Sequence, residues 1–440
     1  MTRPPARFVL LLIACCAAGP PPAAAESDPP PRFETSGSVA VTFLSSRHPF
    51  FEGPGRFYDD HVYHWLESVL KLQGRWNPAP DVALTVGGVG TATLDMDYYQ
   101  RSDDLLGVID PLRLDVRRIG STGMSFTLGR QDVLVGDGFL VGDGFNDDAA
   151  ARYSIPLKYW DGLTVRGAWG RWSVLALAAN LSGSYGRRTN RLDETSEQSL
   201  GGIYTGDIAH AWSERTMVGV TSFVRQDGGT SDQDLRILSG RGSFALGRFD
   251  LAGEYARQGG SVRDEATHAF GYHADLAYRF QPDTFVRAMY ARFSGDDPAS
   301  REYEGFLDWN YSGEDWNRWY LGNNVGSTLL FNENERVYSL EGVFQPAPAW
   351  QARLILERFE LDRPRAPGVP PPGAPPGGAP PGGAPRYFAT ESDFVLEFDA
   401  GGGWSFWLLA SGSVPGPAAR PVLRNDRITT ETFVGGKYEF

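Results

Sequence analysis

The side chains that could carry acid–base chemistry are few. Of six histidines, His61 and His64 stand beside the acids Asp59 and Asp60. Hydrolysis from such a pair also needs a nucleophile and a group to orient the base. No serine motif accompanies them, so no catalytic residue is assigned. A second acid-rich stretch carries Asp132, Asp137, Asp143, Asp147 and Asp148. Its spacing departs from the Asp-x-Asp-x-Asp-Gly and distal Glu pattern of a calcium loop. The stretch is therefore read as a turn-rich loop without metal or cofactor, a bound calcium being the alternative. The two cysteines, Cys15 and Cys16, sit in an apolar leader. The remainder of the chain thus offers no thiolate ligand and no disulfide.

The remaining chemistry-bearing residues are charges that recur at every second position. Lys71, Arg75, Arg113, Arg117 and Arg166 form a basic set in the N-terminal half, with Asp115 among them. Guanidinium groups in such a set suit bidentate contacts to carboxylates or sulfates, unless neighbouring acids such as Glu67 and Asp115 satisfy them first. The C-terminal half carries Asp250, Glu254, Asp275, Glu341, Glu357, Asp393 and Glu397, and only Arg353 and Lys437 are expected to oppose them.

For these charges to act together they must share a face, and the element that provides one is the strand. In Leu112-Arg113-Leu114-Asp115-Val116-Arg117 the apolar and charged residues alternate strictly. Phe394, Leu396 and Phe398 likewise alternate with Asp393, Val395 and Glu397, and Phe270, Tyr272, Ala274, Leu276 and Tyr278 with Gly271, His273, Asp275 and Ala277. The connections sort by length. Short turns at 77–80, 121–123, 170–171, 213–215, 246–248, 281–283, 346–348 and 401–402 alternate with long polar stretches at 132–156, 182–198, 294–334 and 362–387. Short turns at one end and long loops at the other are how transmembrane β-barrels are built, with the apolar face on lipid and the polar face on a lumen. Aromatics at 13% and 53 glycines suit this plan better than helical cores do. The count of such segments predicts an antiparallel transmembrane barrel of roughly 18 strands, an even number that leaves both termini periplasmic. The stretch 320–331 looks strand-like, but parity assigns it to a loop.

Both ends of the chain support the plan. Arg3 and Arg7 precede an apolar run from Phe8 to Ala18, and Ala23-Ala24-Ala25 offers a small-residue cleavage site. Residues 1–25 are therefore expected to be a signal peptide and 26–440 the barrel, although Leu12-Ile13-Ala14-Cys15 also resembles a lipobox. The last strand places Thr432, Val434, Gly436, Tyr438 and Phe440 on one face and Glu431, Phe433, Lys437 and Glu439 on the other. Its aromatic terminus resembles the signal read by barrel-assembly machinery. A Pro/Gly-rich tract within 362–387 cannot form a packed core and is expected to be an extracellular loop.

One set of motifs points to a family. Gly129-Arg130-Gln131 is followed by Gly136-Asp137-Gly138 and Gly142-Asp143-Gly144, and then by Tyr159-Trp160-Asp161-Gly162-Leu163 opening a strand. This order, together with 316–324 and a later hairpin at Pro346, resembles the alginate-export porin family. The resemblance implies an 18-stranded outer-membrane barrel that passes anionic polysaccharide without catalysis. The Gly-Asp-Gly pair also has a physical reading of its own. Its glycines allow tight turns and Asp137 and Asp143 can bond nearby backbone amides, so the loop that also carries Asp147 and Asp148 is able to fold back and constrict the pore. The mixed charge of the expected lumen departs from a uniformly basic tunnel, so the family's substrate is not carried over.

The expectation is a non-enzymatic outer-membrane porin giving passive passage or export of a hydrophilic solute, with an anionic saccharide as the implied class. The alternatives are a surface adhesin or receptor and an outer-membrane hydrolase. A net charge of −13 argues against nucleic acid as a partner. Outer-membrane lipid, the solute and the assembly machinery are the partners expected.

Overall fold

A computed structural model describes residues 31–47, 62–95, 104–109, 111–117, 119, 123–142, 145–147, 157–180, 201–227, 233–262, 265–297, 300–307, 325, 330, 334–364, 385–419 and 427–440. The strands in chain order are β1 (Phe33–Arg47), β2 (Val62–Ala79), β3 (Val82–Asp95), β4 (Asp104–Val108), β5 (Leu112–Val116), β6 (Met124–Gln131), β7 (Phe145–Asp147), β8 (Leu157–Trp169), β9 (Trp172–Asn180) and β10 (Gly201–Ser213). They continue as β11 (Thr216–Asp227), β12 (Gln233–Leu246), β13 (Phe249–Val262), β14 (Glu265–Gln281), β15 (Thr284–Phe293), β16 (Glu335–Ala347), β17 (Trp350–Leu361), β18 (Tyr387–Gly401), β19 (Trp404–Pro415) and β20 (Thr429–Glu439).

Neighbours in sequence are neighbours in space, and each ladder is antiparallel. β4 and β5 pair with successive stretches of β3, so they are two halves of one wall strand. β6 and β7 likewise pair with successive stretches of β8 and count as one wall strand interrupted by a loop. The wall among the described residues therefore has the 18 strands expected, and β1 closes it by pairing with β20 from Ser38↔Glu439 to Arg47↔Thr430. Closure matters because an open edge inside lipid would leave a row of backbone amides and carbonyls without partners. Of 320–331 only Val325 and Leu330 are among the described residues, and the described short turns fall where the sequence put them.

Parity divides the side chains. In β1, Val39, Val41 and Phe43 are exposed on the outside, while Ser38, Ala40, Thr42, Leu44 and Ser46 are buried inside. The outer face also carries aromatic rings at two levels. Trp172, Trp212, Phe249, Phe280, Phe344, Trp350, Trp404 and Phe440 crowd the short-turn end. Tyr255, Tyr272, Tyr290 and Tyr338 form a run near the other end, with Tyr290 and Tyr338 ring centres 5.1 Å apart. Amphipathic rings at both boundaries of an apolar band are what a bilayer selects. A closed barrel with this exterior is an outer-membrane barrel.

Phe440 completes the seam. Its amide donates to the Gly37 carbonyl at 3.0 Å, and the Gly37 amide donates back to the Phe440 carbonyl at 2.9 Å. A side chain at Gly37 would collide with the Phe440 ring, which lies 2.7 Å from where the Cβ would stand. The ring continues an outward stack through Tyr438 to Trp404. Phe33 and Phe440 both lie at the short-turn end. Residues 1–25 and most of the Pro/Gly-rich tract lie outside the described residues.

Candidate functional site: the lumen and its inward hairpin

The motifs that carried the family resemblance turn out to be partners in one ladder. β6 and β8 pair Gly129↔Gly162, Arg130↔Asp161 and Gln131↔Trp160. On the outer face the Arg130 guanidinium grips Asp161 with two bonds, 3.0 and 2.9 Å long. On the inner face the Gln131 amide nitrogen donates to the Gly162 carbonyl at 3.0 Å. Gly129 has φ of +116°, and a Cβ there would strike the Leu112 carbonyl oxygen, which accounts for the glycine. The Trp160 indole nitrogen then donates to the Gly142 carbonyl at 3.0 Å, tying the far end of the following loop to the wall.

That loop turns inward. Val135 and Val141 pair as an antiparallel bridge, and Gly136 and Gly138 take positive φ between them. Val133, Val135, Phe139, Leu140 and Val141 are buried and belong to one apolar cluster with inward residues of β9 to β18, among them Ile203, Phe223, Ile237, Phe293 and Phe359. Phe139 meets the rings of His273, Phe293 and Phe306 at 5.3 to 6.4 Å between centres. Gly136 rests on Arg241, whose side chain leaves no room for a Cβ. The hairpin thus reaches from Trp160, on the strand it precedes, across to the far wall of the barrel. Of the four acids assigned to a constricting loop, Asp137 lies on this hairpin and Asp147 on β7; Asp143 and Asp148 lie outside the described residues.

Parity places the expected lumen charges on the inner face. Lys71 and Arg75 of β2 share it with buried Glu67. Arg113 and Asp115 of β5 are opposite Thr85 and Ala83, and Arg166 of β8 is opposite Ser125. Arg117 is an exception: it lies one residue past β5, exposed at the short-turn rim, where its amide donates to the Asp81 carbonyl. Arg113, Lys71, Arg75 and Arg166 are all partly exposed, Arg113 holding Asp115 at 3.3 Å. Thr127 also donates to Asp115.

Across the lumen the acids are buried. Glu254, Asp275, Glu341, Glu357, Glu391, Asp393 and Glu431 are each at most 5% exposed. They are held locally: Ser239 donates to Glu254, Ser411 to Glu391 at 3.1 Å, and Ser46 to Glu431 at 3.0 Å. The Val325 amide of the 294–334 connection also reaches Glu391, at 2.9 Å. Earlier in that connection Leu307 and Gln258 exchange two hydrogen bonds, and Tyr303 bridges to Thr267. Glu397 faces inward near the short-turn end and is only partly buried.

The expectation that only Arg353 and Lys437 oppose these acids is corrected. Arg225, Arg241, Arg279 and Arg287 also point inward. Arg241 makes a two-bond contact with Asp207 at 2.6 and 3.0 Å, and its guanidinium donates to Thr221. Arg287 and Arg353 hold Glu341 between them at 2.6 and 3.1 Å. Arg215 and Arg279 both grip Asp250. These arginines escape notice in the sequence because the inner face here is itself apolar. In β12, Leu235 and Ile237 share Arg241's side, so assigning the apolar side to lipid gives the wrong answer.

His64 of the expected acid–base pair lies on the outer face, stacked on Phe43 at 5.8 Å, and His61, Asp59 and Asp60 fall outside the described residues.

No family model matches the chain, and no curated protein matches it. Solved structures do match in fold. The chain is similar to the outer membrane protein OpdK of Pseudomonas aeruginosa at 12% identity and a TM-score of 0.58, covering 92% of this chain and 98% of that one. OpdK has also been solved with vanillate. OccK2 (OpdF) of the same organism, in complex with glucuronate, matches at 14% identity and a TM-score of 0.57, covering 93% and 96%. The class so defined is an 18-stranded outer-membrane β-barrel of porin architecture. The likeness is to these barrels and not specifically to the alginate-export family.

Proposed function

We propose that the protein is a passive outer-membrane channel, selective for small hydrophilic solutes that carry a carboxylate. The observation that carries this reading is the asymmetry of the lumen. The inward hairpin at 133–141 leans on the wall that holds the buried acids, while Lys71, Arg75, Arg113 and Arg166 keep part of their surface open. Selectivity follows the charge that the passing solute meets at the narrow part, not the total charge of the wall. Guanidinium groups along that path offer paired donors to a planar carboxylate. Passage by diffusion asks for no catalytic group and no cofactor.

Vanillate and glucuronate, each bound in one of the similar barrels, are both carboxylates, which agrees with this class of solute. The resemblance to alginate-export porins makes an acidic saccharide its most specific member. In this reading the signal peptide at 1–25 is removed and the short turns and both termini face the periplasm. The long loops, with the Pro/Gly-rich tract at 362–387, lie outside the cell. The strand ending in Phe440 is what assembly machinery engages.

Liposome swelling tests the proposal. Vesicles carrying the refolded protein should admit a uronate several-fold faster than the neutral sugar of the same size. Equal rates would refute carboxylate selectivity, and no swelling with either would refute the channel.

A further inference from the structure

The tip of the inward hairpin meets the wall at a group of metal-ligand type. Asp137 of the hairpin, Glu254 of β13 and His273 of β14 each bring one donor atom to a spot where all three lie within 4.8 Å of one another. Glu254 and His273 are direct partners across the β13–β14 ladder, so the wall fixes their spacing. The Asp137 carboxylate stands 3.7 Å from His273 Nε2. On the other side of the ring Asp275 stands 3.4 Å from Nδ1. His273, Glu254 and Asp275 are at most 5% exposed, whereas the Asp137 side chain keeps a quarter of its surface open.

We infer that this cluster is a site for a divalent transition-metal ion of the zinc type, and that the ion pins the hairpin to the wall. One imidazole nitrogen and two carboxylates are a donor set that zinc accepts with three protein ligands, leaving a fourth position for water. Calcium would need six or more oxygens, which these side chains do not supply. Donor atoms around a tetrahedral ion lie roughly 3.3 Å apart at metal–ligand distances of about 2.0–2.2 Å. Side-chain rotations of about an ångström would close the present spacing. The carboxylate of Asp275 behind the ring is the outer partner that orients a metal-bound histidine and sets its tautomer. The ligands come from two separate parts of the fold, so binding joins the hairpin to β13 and β14. The guanidinium of Arg241, on which Gly136 of the hairpin rests, is already engaged by Asp207. A divalent cation supplies charge to this spot that the arginine does not.

The site does not depend on which solute passes. The untagged, refolded chain in detergent is titrated with zinc by calorimetry and with cobalt by visible absorption. One site per barrel is expected, with the stronger d–d bands of a low-coordinate cobalt ion. His273→Ala and Asp137→Asn should each weaken binding at least ten-fold, while His268→Ala, on the exposed side chain near Glu302, should leave it unchanged. Heat-dependent gel migration verifies that each variant has closed its barrel, and Asp137→Asn, on the hairpin, keeps the test valid if His273→Ala does not fold. No binding to the wild-type barrel, or equal affinity in a folded Asp137→Asn variant, overturns the site. Since the titration reads binding alone, it can succeed on a barrel that fails to conduct, and fail on one that conducts.

Discussion

The two sides of the lumen are built from similar residue types and differ in what covers them. Along β2, β5 and β8 the inward cations are Lys71, Arg75, Arg113 and Arg166, and each keeps part of its surface open beside buried Glu67 and half-buried Asp115. Along β13 to β20 the inward charges are mostly carboxylates at most 5% exposed, with Arg287 and Arg353 locked onto Glu341. Composition alone would make the lumen acidic. In the proposed reading burial reverses this, because an acid shut away from the path, or paired with guanidiniums, contributes less to the field a solute crosses than a cation left open to it.

The largest expected effect comes from inverting the open side. Arg113→Glu combined with Arg166→Glu should turn a preference for anions into one for cations, read as a reversal-potential change of sign across a salt gradient. The same double variant should abolish faster uronate entry in the swelling assay. Uncovering the other side comes next. Phe139→Ala removes the ring that sits among His273, Phe293 and Phe306, at a cost of about 3–5 kcal/mol if the site does not collapse. Single-channel conductance should rise and anion preference weaken as buried acids meet solvent. An unchanged conductance would mean that the hairpin does not narrow the path.

A smaller effect is expected at the long-loop end. Burial alone would raise the Asp362 carboxyl, but hydrogen bonds from Arg292, Arg336 and the Gly295 amide outweigh it and hold the group below the ordinary carboxylate range. A carboxyl with a lowered folded value stabilises the fold above its unfolded pKa, near 4, and loses that contribution as pH falls through the folded value. Thermal unfolding in detergent should therefore drop more steeply below about pH 4 in wild type than in Asp362→Asn. Parallel curves would remove the cluster from the account. The smallest effect is expected from Asp393→Asn, a fully buried acid, which should leave the reversal potential almost unmoved. A large shift there would break the contrast between covered and open charge.

The wall was legible in the sequence for a physical reason. Strand parity in lipid is enforced at every residue, so Leu112-Arg113-Leu114-Asp115 and the run ending in Tyr438 and Phe440 state their faces directly. Turn lengths supplied the count of 18. The lumen was less legible. Gly129-Arg130-Gln131 and Trp160-Asp161-Gly162 stood out as motifs, yet their residue-by-residue pairing belongs to a ladder register that neither segment encodes alone. Arg241 and Arg287 were missed because the hairpin packs apolar side chains inside the barrel, and the rule that puts apolar residues on lipid fails where protein lies on both faces. The meeting of Asp137 with Glu254 and His273 joins positions more than a hundred residues apart. Spacing within the 132–148 acids gave no hint of it.

The reversal potential of single channels in a potassium chloride gradient tests the central claim most directly. The open basic side against a covered acidic one predicts anion selectivity in the wild-type barrel, despite its net charge of −13. Cation selectivity would show that the buried carboxylates, and not the exposed arginines, set the field of the pore, and would contradict the account.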